Sequence, residues 1–559
     1  METGSLGVEF LLVFHKCCPE RLLATERDSA APFPRPAQEQ PSKRTMAIVV
    51  SLLEDSLEAL AASARRQEPL ADLIELRLDA IRGVSEDALR DVIGSISRPV
   101  IVTLHGPEAF GAFSGSTAER CEILHMAARA GASFVDIDWQ LSLELGEVAG
   151  KCHRIVSRHE TQGTPQNLTE LLGEVEAVVY EGDVIKFVTQ AQTCEDGLRV
   201  LRLLRERGGG LVAFASGDAG SFTRILAPIF GSPFTYAAPA VHSAKEPSRP
   251  TAPGQLRLGD MLALAPPGGL GPETAVFGVV GNPARHSWSP RLFGMALKGA
   301  RLDALYLAFE PEDFETFLDL ADDENFRGFS VTAPFKAAAM ARAAHSEATC
   351  ESVGAANTLV RNGKGWSAFN TDVEGVRETL RRGFLAHAQR GLEPETAASA
   401  RILVVGAGGA ARAAARATSE LGASLLCAAR RDEAAQDLAR DFGGQALAWD
   451  SLADAEYDGL VHCTPAGSLA QPGVLPFDSG ALRPRTVVLD AVYRPLKTPL
   501  LAAAMQKGCT AIPGGEWFVR QALRQFEHFT SQAPNEELMR ATFAHAFEKG
   551  AAEESEAQG

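Results

Sequence analysis

Eight short apolar, β-branched runs recur between residues 46 and 260, and they constrain the fold of this chain more than any other feature. They are AIVVSL (47–52), LIELRL (73–78), VIVTL (100–104), FVDID (134–138), RIVSR (154–158), VIKFV (184–188), LVAFA (211–215) and FTYAA (234–238). Stretches with apolar residues at helical spacing lie between them, for example 87–96, 118–130 and 194–205. Eight strand–helix alternations are what a (β/α)8 barrel requires, and an open doubly wound sheet is the competing arrangement.

A second constraint is the joint at Ala265 to Pro272. Pro266, Pro267, Gly268 and Gly269 suit neither helix nor strand, so a domain boundary is expected there. At 559 residues the chain exceeds what one hydrophobic core supports. The net charge of −17 argues against a nucleic-acid partner, whose phosphates need a surplus of Lys and Arg. It leaves room for small anionic substrates, which a few local cations hold. The nine cysteines form no CxxC or zinc-type cluster, so no metal site is expected, and free thiols in a reducing cytoplasm fit best. No apolar run approaches membrane-spanning length. Residues 1–45 lack the pattern of a signal or transit peptide. They are expected to be a disordered extension, and Met46, just before the first strand-like run, suggests an upstream start-codon artefact.

Polar residues punctuate the eight runs. Glu75, Arg77 and Asp79 sit on or after the second, His159 follows the fifth, Lys186 lies within the sixth and Arg224 follows the seventh. In a barrel, residues of one parity point inward and the chemistry sits at the C-terminal ends of the strands. Burial inside VIKFV disfavours an ammonium, which frees the Lys186 amine as a nucleophile. A plain buried ion pair of Lys186 with Glu75 is the other reading of the same residues.

The segments IELRLD, IVTLHGPEAFG, FVDIDW, IVSRHETQGTP, DVIKFV, GDAGSFTRI with FGSPFTY, and TAPGQL, taken in order, resemble the type I 3-dehydroquinate dehydratases. The resemblance implies that Lys186 forms a Schiff base with the substrate ketone, with His159 as general acid–base and Glu75 orienting it. It implies that Arg224 clamps the substrate carboxylate, with Arg77, Thr251 and Gln255 holding hydroxyls and carboxylate. Four positions depart from the family pattern. His105 stands where Arg is usual, EAFG lacks a second Gly, Thr251 replaces Ser and Tyr236 replaces Phe. Loss of a cation at His105 is expected to lower affinity or rate.

Beyond the joint, FGVVGNPARHSWSP carries Ser287 and Ser289, hydroxyls placed to hold a carboxylate or simply to cap a helix. GFSVTAPFK brings Thr332 and Lys336, GAANTL brings Asn357, and AFNTD brings Asp372. A Lys and an Asp converging in a pocket make a proton-transfer pair. RILVVGAGGAARAAARA then reads as strand, glycine turn and helix, with another strand after it, the context of a dinucleotide site. Gly406, Ala407, Gly408, Gly409 and Ala410 form its turn, where backbone N–H groups and the helix dipole favour a pyrophosphate. Arg430 and Arg431 occupy the end of that next strand, where an acid would favour NAD; two guanidiniums suit the 2′-phosphate of NADP. Asp432, one step on, is expected to be a helix cap.

This order of motifs resembles shikimate dehydrogenase. By that resemblance Lys336 and Asp372 are the catalytic pair, and Ser287, Ser289, Thr332, Asn357 and Asp372 bind substrate. Tyr493 in LDAVYRPLKTPL contacts substrate or nicotinamide, and Gln521 in GGEWFVRQA points back onto the substrate. Ser330, Phe293, His462 and Trp517 replace the usual Asn, His, Asn and Met.

The expected architecture is α/β throughout: a TIM barrel, then a substrate domain and a Rossmann domain. Its expected segments are a barrel over 46–262, a linker over 263–274, a substrate domain over 275–385 and a Rossmann domain over 386–512. Returning helices over 513–547 and a disordered tail over 548–559 complete it. The expected function is a bifunctional, cytoplasmic enzyme acting on 3-dehydroquinate and then 3-dehydroshikimate, with NADP as cofactor, yielding shikimate. Two alternatives stand beside it: a dehydrogenase with an impaired barrel, and a metabolite-binding regulator.

Overall fold

The computed structural model describes residues 47–240 and 251–557, with side chains through 546. The expectations for residues 1–45 and for Met46 lie outside the described residues. The described chain divides into two compact units, one containing residues 47–345 and 358–368, the other residues 346–357 and 369–557.

The first unit opens with the eight strands β1 (Ala47–Leu53), β2 (Leu73–Arg77), β3 (Val100–Thr103), β4 (Phe134–Asp138), β5 (His153–Glu160), β6 (Val184–Gln190), β7 (Leu211–Ser216) and β8 (Phe234–Ala237). Each pairs in parallel with the next from β1 to β7, and β1 also pairs in parallel with β8, Val49 facing Tyr236. The β1–β8 ladder excludes the open doubly wound sheet. Among the described residues only the seam between β7 and β8 lacks a ladder, and Phe214 packs on Tyr236 across it at 5.8 Å.

Because side chains alternate along a strand, one parity fills the barrel interior. Its lower layer is apolar: Val49, Leu73, Ile101, Ile155, Val212 and Phe234 form one cluster. Two residues further along, the same parity presents Ser51, Glu75, Thr103, Asp136, Ser157 and Lys186, all buried. A hydrophobic plug therefore carries a polar floor at the C-terminal ends of the strands.

The first unit continues through the helix Leu258–Leu264 into a mixed sheet that includes Ala275–Val280, Ala304–Phe309, Phe326–Val331, Thr358–Asn362 and Gly365–Phe369. The Pro/Gly joint between them is packed rather than loose: Leu270 is buried, and Asn325 Nδ2 donates to Pro272 O at 2.7 Å. Barrel and sheet are also tied directly. Arg205 donates to Asp323 at 2.8 Å, the Asp313 amide donates to Glu195 at 2.8 Å, and Phe222 meets Phe309 edge-on at 5.3 Å.

The second unit is built on a six-stranded parallel sheet with Arg401–Val405 and Gly459–His462 at its centre. Its helices include Thr371–Gln389 and Gly514–Thr530, which cross where Gly375 leaves room for Trp517 and Gln521. The last helix spans Glu536–Ala557, through most of a tail expected to be disordered. Ala and Glu are strong helix formers, so a helix already begun at Glu536 propagates through AAEESEA at little cost.

Candidate active sites

The polar floor of the barrel lines an open cavity bounded by Glu75, Arg77, His105, His159, Lys186 and Arg224, among others. Lys186 is buried and donates to Asp136 Oδ2, a fully buried carboxylate on β4. This replaces the expected ion-pair partner Glu75, whose carboxylate instead accepts from Ser51 and, at 2.8 Å, from Thr103. Burial pushes the Asp136 carboxyl up, against the opposing pull of the Lys186 ammonium.

His159 faces the same cavity. Burial, with the charges of Lys186, Arg77 and Arg224, holds its imidazole well below the usual histidine range. It is therefore a neutral base at pH 7. Its Nδ1 has no hydrogen-bond partner among the described residues, so Glu75 does not orient it by direct contact as expected. The short hydroxyls of Ser51 and Thr103, on the strands flanking Glu75, reach its carboxylate first. His105, the position that departs from the family pattern, stands edge-on to His159 with ring centroids 4.8 Å apart.

The two expected carboxylate-binding arginines differ. Arg77 is already paired with Asp79, Nη2 to Oδ2 at 2.5 Å, which accounts for much of its charge. Arg224 is 1 % exposed, lies against the Phe214 ring at 4.1 Å and makes no ion pair among the described residues. Burial pulls its guanidinium down to about 10. A buried cation facing a cavity without its own anion is a receptor for an anionic ligand. Thr251 Oγ1 lies 2.9 Å from Ser51 Oγ and 3.0 Å from Gln255 Oε1, which brings the TAPGQL segment onto the cavity. The turn needs Gly254, at φ +65°, because a Cβ there would come within 2.2 Å of the Gly217 carbonyl oxygen.

In the sheet of the first unit, Ser287 Oγ donates to Ser289 Oγ at 3.1 Å where the helix Ser289–Gly299 starts. Tyr306 donates to Ser330 at 2.6 Å and stacks on Phe293 at 4.5 Å, so two departures from the family pattern pack around one buried tyrosine. Thr332 follows the strand Phe326–Val331, and Lys336 opens the helix Lys336–Arg342.

The second unit gathers Asn357, Thr371, Asp372 and Gln521. Asn357 Oδ1 accepts from the Thr371 amide at 2.9 Å, and its Nδ2 donates to Thr371 Oγ1 at 3.0 Å and to Gln521 Oε1 at 3.4 Å. Asn370 caps the helix that begins with Thr371 and Asp372 through its Oδ1, fixing Asp372 in the first turn. Tyr493 stacks on Phe518 at 4.8 Å.

The dinucleotide turn lies between Val405 and the helix Gly409–Glu420. Gly406 has φ +121°, and a Cβ there would meet the Cys463 carbonyl oxygen at 2.9 Å. Gly408 has open space around it, and no side chain caps the helix start, so its first N–H groups are left for a ligand. Arg430 and Arg431 are exposed and make no ion pair among the described residues. This donor set fits a 2′-phosphorylated dinucleotide. Arg431, not Asp432, occupies the cap position of the next helix, and Asp432 is its first helical residue.

A family model described as type I 3-dehydroquinase matches residues 48–265, and one described as the shikimate dehydrogenase substrate-binding domain matches residues 279–359. A bifunctional 3-dehydroquinate dehydratase/shikimate dehydrogenase, chloroplastic, from Arabidopsis thaliana is 31% identical over 516 residues, covering 89% of this chain and 84% of the relative. The chain belongs to the bifunctional 3-dehydroquinate dehydratase/shikimate dehydrogenase family. A shikimate dehydrogenase (NADP(+)) from Halobacterium salinarum is 39% identical over 272 residues, 48% of this chain and 97% of the relative. A solved dehydroquinate dehydratase and shikimate dehydrogenase from S. pombe aligns with a TM-score of 0.40 at 24% identity, over 90% of this chain and 99% of that one.

Within this bifunctional family member, sequence reasoning passed over Asp136. The signal was present: Asp136 shares the parity of Phe134 on β4, as Glu75 shares that of Leu73 on β2, so both face inward. His462, noted only as a replacement, is fully buried between Asp490 at 2.8 Å and Thr464 at 2.5 Å. It ties the ends of two neighbouring strands beside the glycine turn. Among the described residues no helix is long and apolar enough to cross a membrane.

Proposed function

We propose that this enzyme performs two consecutive reactions, with residues 46–262 dehydrating 3-dehydroquinate to 3-dehydroshikimate and residues 275–547 reducing that product to shikimate with NADPH. The observation that carries the first half is Lys186, a buried amine on the polar floor of the barrel beside a neutral histidine and an unpaired buried arginine.

The Lys186 ammonium gives a proton to Asp136, and the free amine adds to the substrate ketone. Loss of water from the carbinolamine forms the iminium, an electron sink that acidifies the adjacent carbon. His159, neutral through burial, takes that proton. The electron pair moves toward the iminium, and His159 then returns its proton to the departing hydroxyl, which leaves as water. A second water hydrolyses the iminium and releases product and Lys186. Arg224 holds the substrate carboxylate throughout, while Thr251 and Gln255 hold hydroxyls.

In the second reaction NADPH supplies the hydride. Gly406 to Ala410 receive its pyrophosphate, and Arg430 and Arg431 its 2′-phosphate. Ser287, Ser289, Thr332, Asn357, Tyr493 and Gln521 bind and orient the substrate, and Lys336 with Asp372 delivers the proton to the carbonyl oxygen. The chain's charge and free thiols favour work in a reducing, cytoplasm-like compartment.

The test is to mix the purified chain with 3-dehydroquinate and NADPH and follow loss of nicotinamide absorbance. Oxidation with stoichiometric shikimate supports both reactions, because the substrate must be dehydrated before it is reduced. Turnover of added 3-dehydroshikimate alone would mean an impaired barrel, and turnover of neither would favour a metabolite-binding regulator.

A further inference from the structure

The barrel site contains a second buried imidazole, one with no part in the proposed dehydration steps. His105 follows β3 and is 3 % exposed. Its backbone is fixed at both ends, its amide donating to Asp79 Oδ1 at 3.1 Å and its carbonyl accepting from the Phe113 amide at 3.0 Å. On one side its Nε2 lies 3.9 Å from Asp136 Oδ2, the oxygen that also accepts from Lys186. On the other its ring stands edge-on to His159 at 72°. The Nδ1 atoms of both histidines are buried, and neither has a hydrogen-bond partner among the described residues.

We infer that His105 is a positioning residue of the dehydration site, which orients His159 and couples its protonation to the Lys186–Asp136 pair. The inference rests on the Schiff-base reading of Lys186. Two buried Nδ1 atoms left without partners on rings already in contact are costly unless they serve each other or a ligand during the reaction. An N–H···N hydrogen bond between the two rings, with His105 accepting from His159 when the latter carries the substrate proton, would satisfy both atoms. Because His105 also borders Asp136, it spans the group that takes the lysine proton and the group that takes the carbon proton.

The groups facing His105 are Lys186 on β6, His159 on β5, Arg77 on β2, Asp136 on β4 and Arg120 on the helix Thr117–Arg129. Burial, followed by the positive charges among them, holds the His105 imidazole well below its ordinary range. It is thus neutral in the resting site, with one lone pair free to accept. A guanidinium at this position would repel the His159 imidazolium; a neutral imidazole stabilises it.

The test uses the full chain with His105→Phe and His105→Gln, the first keeping a ring without nitrogen and the second keeping hydrogen-bonding atoms. Dehydration kcat and KM are measured from pH 5.5 to 9.5, and Schiff-base formation is followed by mass after borohydride reduction with bound ligand. The expected result for His105→Phe is a fall in kcat of about 10- to 100-fold, KM within about threefold and trapping retained. The acid limb should move to lower pH, since the imidazolium of His159 loses its acceptor. His105→Gln should recover part of the loss, and equal thermal midpoints exclude misfolding as its cause. A wild-type kcat and pH profile in both variants, or a rise in KM with kcat unchanged, would overturn the inference while leaving the Schiff base standing. Failure to trap a Lys186 adduct in the wild type would overturn the Schiff-base reading and this inference with it.

Discussion

Lys186 donates to Asp136, two strands away around the barrel wall, and not to Glu75. The pairing places a proton acceptor directly on the amine that the proposed dehydration uses as its nucleophile. Asp136→Asn should therefore remove that acceptor and the partner that places the amine, and lower dehydration by at least about 100-fold. The dehydrogenase reaction, assayed with 3-dehydroshikimate, should be retained. Equal rates of dehydration in variant and wild type would refute this.

His105 and His159 are both buried neutral, and in the second unit burial and then Arg524 push His528 down to about 4. For each, the folded value lies below the unfolded value of about 6.5, so the folded chain binds fewer protons. Their stabilising contribution is complete above about pH 6.5 and declines as pH falls below it. Urea midpoints measured at pH 7.5 and 5.5 should show the loss, and a flat midpoint across that window would contradict it.

Tyr236 has a buried hydroxyl with no hydrogen-bond partner among the described residues, in the wall of the barrel cavity. Tyr236→Phe removes an unsatisfied polar atom, so the thermal midpoint without ligand should stay level or rise. If the hydroxyl meets substrate, KM for 3-dehydroquinate rises about tenfold at the same time. A lower midpoint would show that the hydroxyl is already satisfied.

Arg430 and Arg431 are free to meet a phosphate. Replacing both with Ala should raise KM for NADPH about 10- to 100-fold, the worth of one or two charge-assisted hydrogen bonds, and leave KM for NADH nearly level. Parallel loss with both cofactors would instead assign them a role in folding.

At Gly406, φ of +121° and the nearby Cys463 carbonyl both oppose a side chain. Gly406→Ala should weaken NADPH binding, measured by fluorescence titration, and spare dehydration in the barrel. Unchanged affinity would remove the turn from the cofactor site.

The eight runs, the glycine turn and the polar residues placed on them were legible because each depends on local rules. Strand periodicity, a strand–turn–helix junction and a cation within an apolar run are written in neighbouring residues. Inward parity even marked Asp136, once Phe134 is seen to fill the barrel's lower layer. What the linear order did not contain was the choice among partners. Glu75 was the one anion weighed for Lys186, and only closure of the barrel gave Lys186 to Asp136, Arg77 to Asp79 and Glu75 to two hydroxyls. That choice depends on which strands neighbour one another and on the stagger between them, a property of the closed sheet. The same closure left Arg224 without an anion and set His105 against His159. The sequence thus determined the fold class and the chemical inventory, while the tertiary structure decided the pairing, because a hydrogen bond is specified to tenths of an ångström across strands that are distant in the chain.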